Sequence, residues 1–235
     1  MERALIVNAD DFGQSRGINR GITEAVERGI VTSVSLMVRW EAADEAAAFA
    51  SLHPQVSIGL HLDLGEWAVR DGAWAPLHEG ADRRDAVAVE SEVRSQVARF
   101  RELLGRDPTH LDSHQHVHRA EPVRSIVEAV VVELGVPLRH SSTEIRYNGK
   151  FYGQTRTGDA VPDAISTDRL VELLRRLPEG VTELGCHPGY ADDLATMYQS
   201  ERAIEIRALC DPIVRRVLEE EQILLCSFAR SRSHV

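Results

Sequence analysis

No stretch of the 235-residue chain holds enough consecutive apolar residues to span a bilayer. Cysteine is scarce. Cys186, Cys210 and Cys226 form an odd set without CxxC spacing, which excludes a disulfide framework and predicts reduced thiols in a cytosol. All three read as small, buried apolar side chains. Positive charge is in deficit, with 27 Lys+Arg against 37 Asp+Glu and a net charge of −10. A surface of that sign repels nucleic-acid backbones and anionic membranes, so neither is expected as a partner. No strand-like run is followed by GxGxxG or GxxxxGK[ST], so no dinucleotide or P-loop site is expected. Internal repeats and low-complexity tracts are also missing. The N-terminal MERALIVNADDFG reaches two aspartates after a short apolar run, which predicts a strand and not a signal peptide.

What the chain does have is a regular alternation. At 43% hydrophobic and 27% charged, its composition suits one globular domain with a full core, spanning residues 1–235. Short apolar runs predict strands at Ala4–Ala9, Ser33–Val38, Val56–Leu60, Thr109–Ser113, Val136–Arg139, Thr182–Cys186 and Ile223–Phe228. Helical patterns fall between them at Ser15–Arg28, Glu41–Leu52, Glu90–Leu104, Glu121–Leu134, Thr167–Leu177 and Gln199–Glu220. The last of these is broken at Asp211-Pro212, where Asp211 can cap a second helix. Gly65–Arg84 and Ser141–Ser166 read as long loops. Strands alternating with helices imply right-handed crossovers and a parallel sheet with helices outside. The expected fold is therefore α/β, an irregular, TIM-like (β/α) barrel of about seven parallel strands.

The polar residues that stand out lie where these strands end. Asp10 and Asp11 end the first, His61 and Asp63 the third, Asp112 and His114 to His118 the fourth, and His187 the sixth. Parallel barrels place their active sites at that face, so four strands converge on one mouth, which points to an enzyme. In HLDSHQHVH, a period of two puts Asp112, His114, His116 and His118 on one face of a strand. A helix would instead pair His114 with His118. Either geometry brings two imidazoles to a metal ion. Leu60 and Leu62 would face the outer helices while His61 faces inward. One carboxylate and two imidazoles leave open positions on a divalent ion, the layout of a hydrolytic site. A spare aspartate can then act as base, and His187, at a turn made by Pro188 and Gly189, can protonate a leaving amine. Two other readings stay open: a metal-free glycoside hydrolase with Asp10 and Asp63 flanking the bond, and a non-catalytic sugar- or metal-binding protein. His53, His78, His140 and His234 are assigned no role.

IVNADDFG at Ile6–Gly13, GLHLDL at Gly59–Leu64, THLDSHQHVH at Thr109–His118 and CHPGY at Cys186–Tyr190 together resemble the YdjC-like (ChbG/HpnK) carbohydrate deacetylase family. The ordered set spans most of the chain. The resemblance implies an irregular (β/α) barrel, similar to the wider polysaccharide deacetylases. It also implies hydrolysis of an N-acetyl group on an amino sugar, typically N-acetylglucosamine in a short chitin-derived oligosaccharide. A hopanoid-linked or other acetylated glycan is the alternative substrate. By the same resemblance one divalent ion is held by Asp11, His61 and His114; the donor set suits Zn²⁺ or Mg²⁺, and His118 is the runner-up ligand if its segment turns helical. Asp10 is then the general base and His187 the acid. The partner is a small carbohydrate, the protein is expected in the cytoplasm, and a homodimer is left open. The aromatic loop FYGQ at Phe151–Gln154 can offer a ring face to a pyranose or simply anchor itself.

Overall fold

A computed structural model describes residues 2–70 and 72–231, so His234 lies outside the described residues. The strands are β1 (Arg3–Phe12), β2 (Ser33–Leu36), β3 (Ser57–Leu62), β4 (Gly65–Arg70), β5 (Ala73–Glu79), β6 (Leu111–Ser113), β7 (Ile145–Asn148), β8 (Gly180–Cys186) and β9 (Ile223–Cys226). The helices are α1 (Arg16–Glu27), α2 (Ala43–Leu52), α3 (Ala86–Leu104), α4 (Val123–Leu134), α5 (Thr167–Arg175), α6 (Ser200–Leu209), α7 (Pro212–Glu220) and the short α8 (Phe228–Ser231). The main sheet is parallel throughout, in the order β6-β3-β2-β1-β8-β7, with β9 beside the lower half of β1. It is an α/β half-barrel, curled and open between β6 and β7.

Period-two alternation sorts the strands into an outer and an inner face. In β1, Leu5, Val7 and Ala9 join the large apolar core, while Ile6 packs in a separate small cluster with Ile145, Cys226 and Phe228. Asn8 and Asp10, in register with Ile6, therefore face inward. In β3, Ile58, Leu60 and Leu62 belong to the outer core, and His61 alternates with them toward the inside. Gly59 faces the same way, and a Cβ there would stand 2.4 Å from the His110 ring, so only glycine leaves that ring its place.

Local chemistry explains most helix limits. Ser15 caps α1 by accepting from Ile18 N, Asp211 caps α7 by accepting from Ile213 N, and Pro212 opens the first turn. Asp85 caps α3 through Val87 N and Ala88 N, which starts that helix ahead of the expected Glu90.

Three expectations need correction. Val136–Arg139 is not a strand: Leu111 and Leu138 form a single parallel bridge. The neighbouring β6 is only three residues long before the chain turns at His114, so there is no ladder to extend. The seventh strand of the sheet is instead β7, inside the expected loop Ser141–Ser166, pairing Ile145 with Val181 and Asn148 with Leu184. The expected loop Gly65–Arg84 contains an antiparallel hairpin, β4–β5, with Val69 opposite Trp74. Cys186 and Cys226 are buried and Cys210 is half-buried, all unpaired.

Candidate active site

The C-terminal ends of the parallel strands open onto a cleft of about 690 Å³ whose floor carries Asp10, Asp11, His61, His114 and His187. Volumes of this order suit small-molecule ligands. Asp10 reaches the cleft by strand alternation, and Asp11 should point the other way. It does not, because its φ is +68° and the β1–β2 register slips between Ala9 and Phe12. A non-glycine residue in the left-handed region costs of order 1–3 kcal/mol, a strain that tends to collect at functional sites. Here it brings two adjacent carboxylates to one pocket. His114 is placed similarly: Gln115 and His116 behind it both have φ +52°, which turns the chain sharply off β6.

Asp11 Oδ1 lies 3.3 Å from His61 Nε2 and 3.1 Å from His114 Nδ1. Bonds of 2.0–2.2 Å to one ion set neighbouring ligand atoms about 3.0–3.4 Å apart, so this trio fits a shared divalent cation. The remaining contacts agree. His61 Nδ1 donates to Asp112 Oδ1 at 2.7 Å, so Nε2 is the nitrogen turned to Asp11, able to carry a proton or to bind a cation. A ring nitrogen meeting a carboxylate oxygen calls for a proton or a cation between them, and a carboxylate behind a ligating imidazole is a common support for metal histidines. Arg202 Nη2 holds the other Asp11 oxygen at 2.7 Å.

The charges follow. Burial alone would raise the Asp11 carboxyl, but Arg202 and the two histidines outweigh it and hold it well below the ordinary range. Burial would lower His61, yet Asp112 and Asp11 bring it up to about 9, and His114 is likewise raised well above its ordinary value by Asp11 and Glu66. The pocket thus favours positive charge on these two ring edges, which protons or a metal ion can supply.

Asp10 sits in a different cradle. Arg139 donates to both of its oxygens, at 2.6 and 2.8 Å, and Asn8 Nδ2 donates to Oδ1 at 2.8 Å. Burial pushes this carboxyl up, Arg139 pulls it down, and the net is below the usual value. The same guanidinium meets Asp112 Oδ2 at 2.7 Å and also Glu183. Behind this cluster, His110 is kept neutral by burial, at about 3. Its Nε2 donates to Asn8 Oδ1 at 3.0 Å, which fixes the orientation of the Asn8 amide. Ser35 Oγ donates to Asp112 Oδ2 at 2.7 Å.

His187 follows β8, with Nε2 3.8 Å from Asp10 Oδ2. Burial lowers it to about 4, so the ring is neutral at neutral pH. Its backbone N–H donates to Glu205, which also accepts from the Tyr198 hydroxyl. His118 stands apart from the trio. Ser113 Oγ lies 2.6 Å from its Nδ1 and the Arg139 carbonyl 3.1 Å from its Nε2, so both ring nitrogens are occupied. Asp63 does not face the cleft; it is 2.8 Å from Trp40 Nε1, with His78 and the Gly65 N–H as further partners. Residue types at strand ends pointed to Asp10, Asp11, His61, Asp112, His114 and His187. Arg139, Arg202, Glu183 and Glu205 were missed.

A curled parallel half-barrel with a carboxylate, two imidazoles and a second, arginine-bound carboxylate at its mouth is a class of site that could hold a divalent cation beside a fixed carboxylate. The particular family is shown by comparison with known proteins. The model of the YdjC-like protein family matches residues 4–220, and the chain belongs to that family. It is 33% identical to a chitooligosaccharide deacetylase of Serratia marcescens over 97% of this chain and 99% of the other. It is 34% identical to a carbohydrate deacetylase of Geobacillus stearothermophilus, with coverage of 97% and 98%. Among solved structures, a putative cellobiose-phosphate cleavage protein of Enterococcus faecalis superposes with a TM-score of 0.78 at 28% identity, covering 97% of this chain and 98% of that one. A family 4 carbohydrate esterase of Streptomyces lividans gives 0.57 at 12% identity, with coverage of 96% and 91%, a likeness of fold alone.

Proposed function

We propose that this protein is an amide hydrolase that removes the N-acetyl group from N-acetylglucosamine units of short chitin-derived oligosaccharides. The observation that carries the reading is the shared Asp11 oxygen, with His61 Nε2 and His114 Nδ1 at 3.3 and 3.1 Å beside an Asp10 carboxylate already oriented by Arg139. Asp11, His61 and His114 would hold one divalent ion. When bound, such an ion supplies Lewis acidity, making water nucleophilic at neutral pH and polarising the acetamide carbonyl. Two imidazoles and a carboxylate suit zinc, and magnesium remains an alternative. The relatives named as carbohydrate deacetylases support the substrate class.

The chain's own groups divide the proton work. Asp10 is ionised, and both its oxygens are fixed by Arg139 and Asn8, so it can accept a proton from the attacking water without reorganising. His187 is neutral at rest, and its Nε2, 3.8 Å from Asp10 Oδ2, can take over the proton that Asp10 has accepted from water and deliver it to the departing nitrogen. Water's oxygen ends on acetate and its protons on the amine. His187→Ala should lower kcat by about 10²- to 10⁴-fold while leaving metal content unchanged. Loss of metal from that variant would instead make His187 a ligand. Three unpaired thiols support a reducing, cytoplasmic location, and no described helix is long and apolar enough to cross a membrane.

The test is acetate release from diacetylchitobiose by the purified protein. Dialysis against a chelator should abolish it, and added divalent ion should restore it. Turnover that survives the chelator would exclude the metal site. Sugar binding without acetate release would favour a non-catalytic protein.

A further inference from the structure

Two exposed aromatic rings remain outside the machinery just described. Among the described residues, the large exposed hydrophobic side chains include only two aromatics, Trp74 at 56% and Tyr152 at 38%. Both line the active-site cleft. Leaving large ring faces in water is unfavourable, and finding both in one cleft is not what scattered surface residues would give.

They reach the cleft from different segments of the chain. Trp74 lies on β5, and its hairpin is pinned to the His114 side of the cleft. Trp67 N donates to Gln115 Oε1 at 3.1 Å, while Gln115 Nε2 donates to the Trp67 carbonyl at 2.7 Å. Gln115 directly follows His114 in the chain, so the hairpin is held in register with that residue. The Trp67 ring is already covered by the Arg83 guanidinium, 3.7 Å from its centre, which leaves Trp74 as the free face. Tyr152 lies on the His187 side. Its ring stacks on Tyr198 at 4.9 Å and 16°, and its centre is 5.4 Å from that of His187. Tyr198 is itself held by Gly153 N, which donates to its hydroxyl at 2.8 Å, so the pair is a fixed platform.

We propose that Trp74 and Tyr152 are two carbohydrate-stacking subsites of the cleft that holds the Asp10–Asp11 pair, so that the cleft reads a run of linked sugars and not one unit. A pyranose ring offers a face of C–H groups that packs on an aromatic face, and two such faces in one cleft select an oligosaccharide long enough to reach both. This inference rests on the carbohydrate reading above and extends it to chain length.

The experiment compares triacetylchitotriose with N-acetylglucosamine, by calorimetric binding to the metal-loaded protein and by kcat/KM for acetate release. The variants are Trp74→Ala, Tyr152→Ala and Trp74→Phe. Each alanine variant should weaken trisaccharide binding about tenfold and lower the trisaccharide-to-monosaccharide ratio of kcat/KM by a similar factor, with Trp74→Phe recovering most of the loss. Unchanged trisaccharide affinity in either alanine variant would overturn the proposal. So would equal losses on both sugars, or a wild type that binds the trisaccharide no better than the monosaccharide. Wild type that binds trisaccharide through these rings yet releases no acetate would sink the deacetylase reading and leave the stacking subsites standing.

Discussion

Asp10→Asn should fold, keep its metal and bind sugar, while acetate release falls by about 10²-fold or more. Asn preserves the shape and one acceptor oxygen, so the hydrogen bond from Asn8 and one of the two from Arg139 can persist. It cannot take up the proton that attack by water must shed. Asp11→Asn should behave differently, although the residues are adjacent and chemically alike. Asp11 Oδ1 is the atom that His61 and His114 share, and a neutral amide oxygen attracts a cation less strongly than a carboxylate. Metal affinity should drop, and excess metal should restore part of the activity. Assays of both variants across a metal titration separate the roles. Rescue of Asp10→Asn by metal, with none for Asp11→Asn, would reverse the assignment.

The sequence exposed one half of this site and hid the other for physical reasons. Carboxylates and imidazoles at strand ends are visible because period-two alternation and the parallel barrel fix where they point. Arg139 ends the run Val136–Arg139, the same kind of position, yet a lone guanidinium normally reads as a solvated surface charge. Arg202 and Glu205 lie in α6, where nothing in SERAIEIRAL distinguishes buried ionisable side chains from an exposed helix face. The turns that aim Asp11 and His114 are also silent, since Asp11, Gln115 and His116 adopt positive φ without glycine to announce it. The hairpin was hidden because Trp67, Trp74 and Pro76 lie in a stretch with no clean apolar alternation, and its pairing is set by tertiary contacts to Gln115 and Asp63. Helix limits and the outward set of β1 and β3 were legible because capping residues and apolar alternation act locally.

Arg139→Met should cost about 3–5 kcal/mol of stability and abolish acetate release together. The side chain is 1% exposed and meets Asp10, Asp112 and Glu183, so its loss strands three carboxylates away from water. Methionine fills much of the volume, which keeps the cavity contribution small and isolates the charge effect. The pH dependence tests this cause. In the wild type, burial raises the Asp10 and Asp112 carboxyls, but Arg139 together with His61 outweighs it, so both titrate below 3.8. Stability from a depressed folded pKa is fully present above the unfolded value and is lost only as pH falls through the folded one. These two groups therefore contribute no slope between about pH 5 and pH 8. Without Arg139, burial wins and their folded pKa values rise above the unfolded ones. Glu183, already pushed by burial to about 7, moves further up. The native state then holds protons that the unfolded chain has released, so the variant loses stability as pH rises through that window. Thermal unfolding should show a gap from wild type that is widest near about pH 8 and narrows toward about pH 5. A gap that stays constant with pH would mean that Arg139 acts through packing, and the electrostatic account of how Asp10 is held would fail with it.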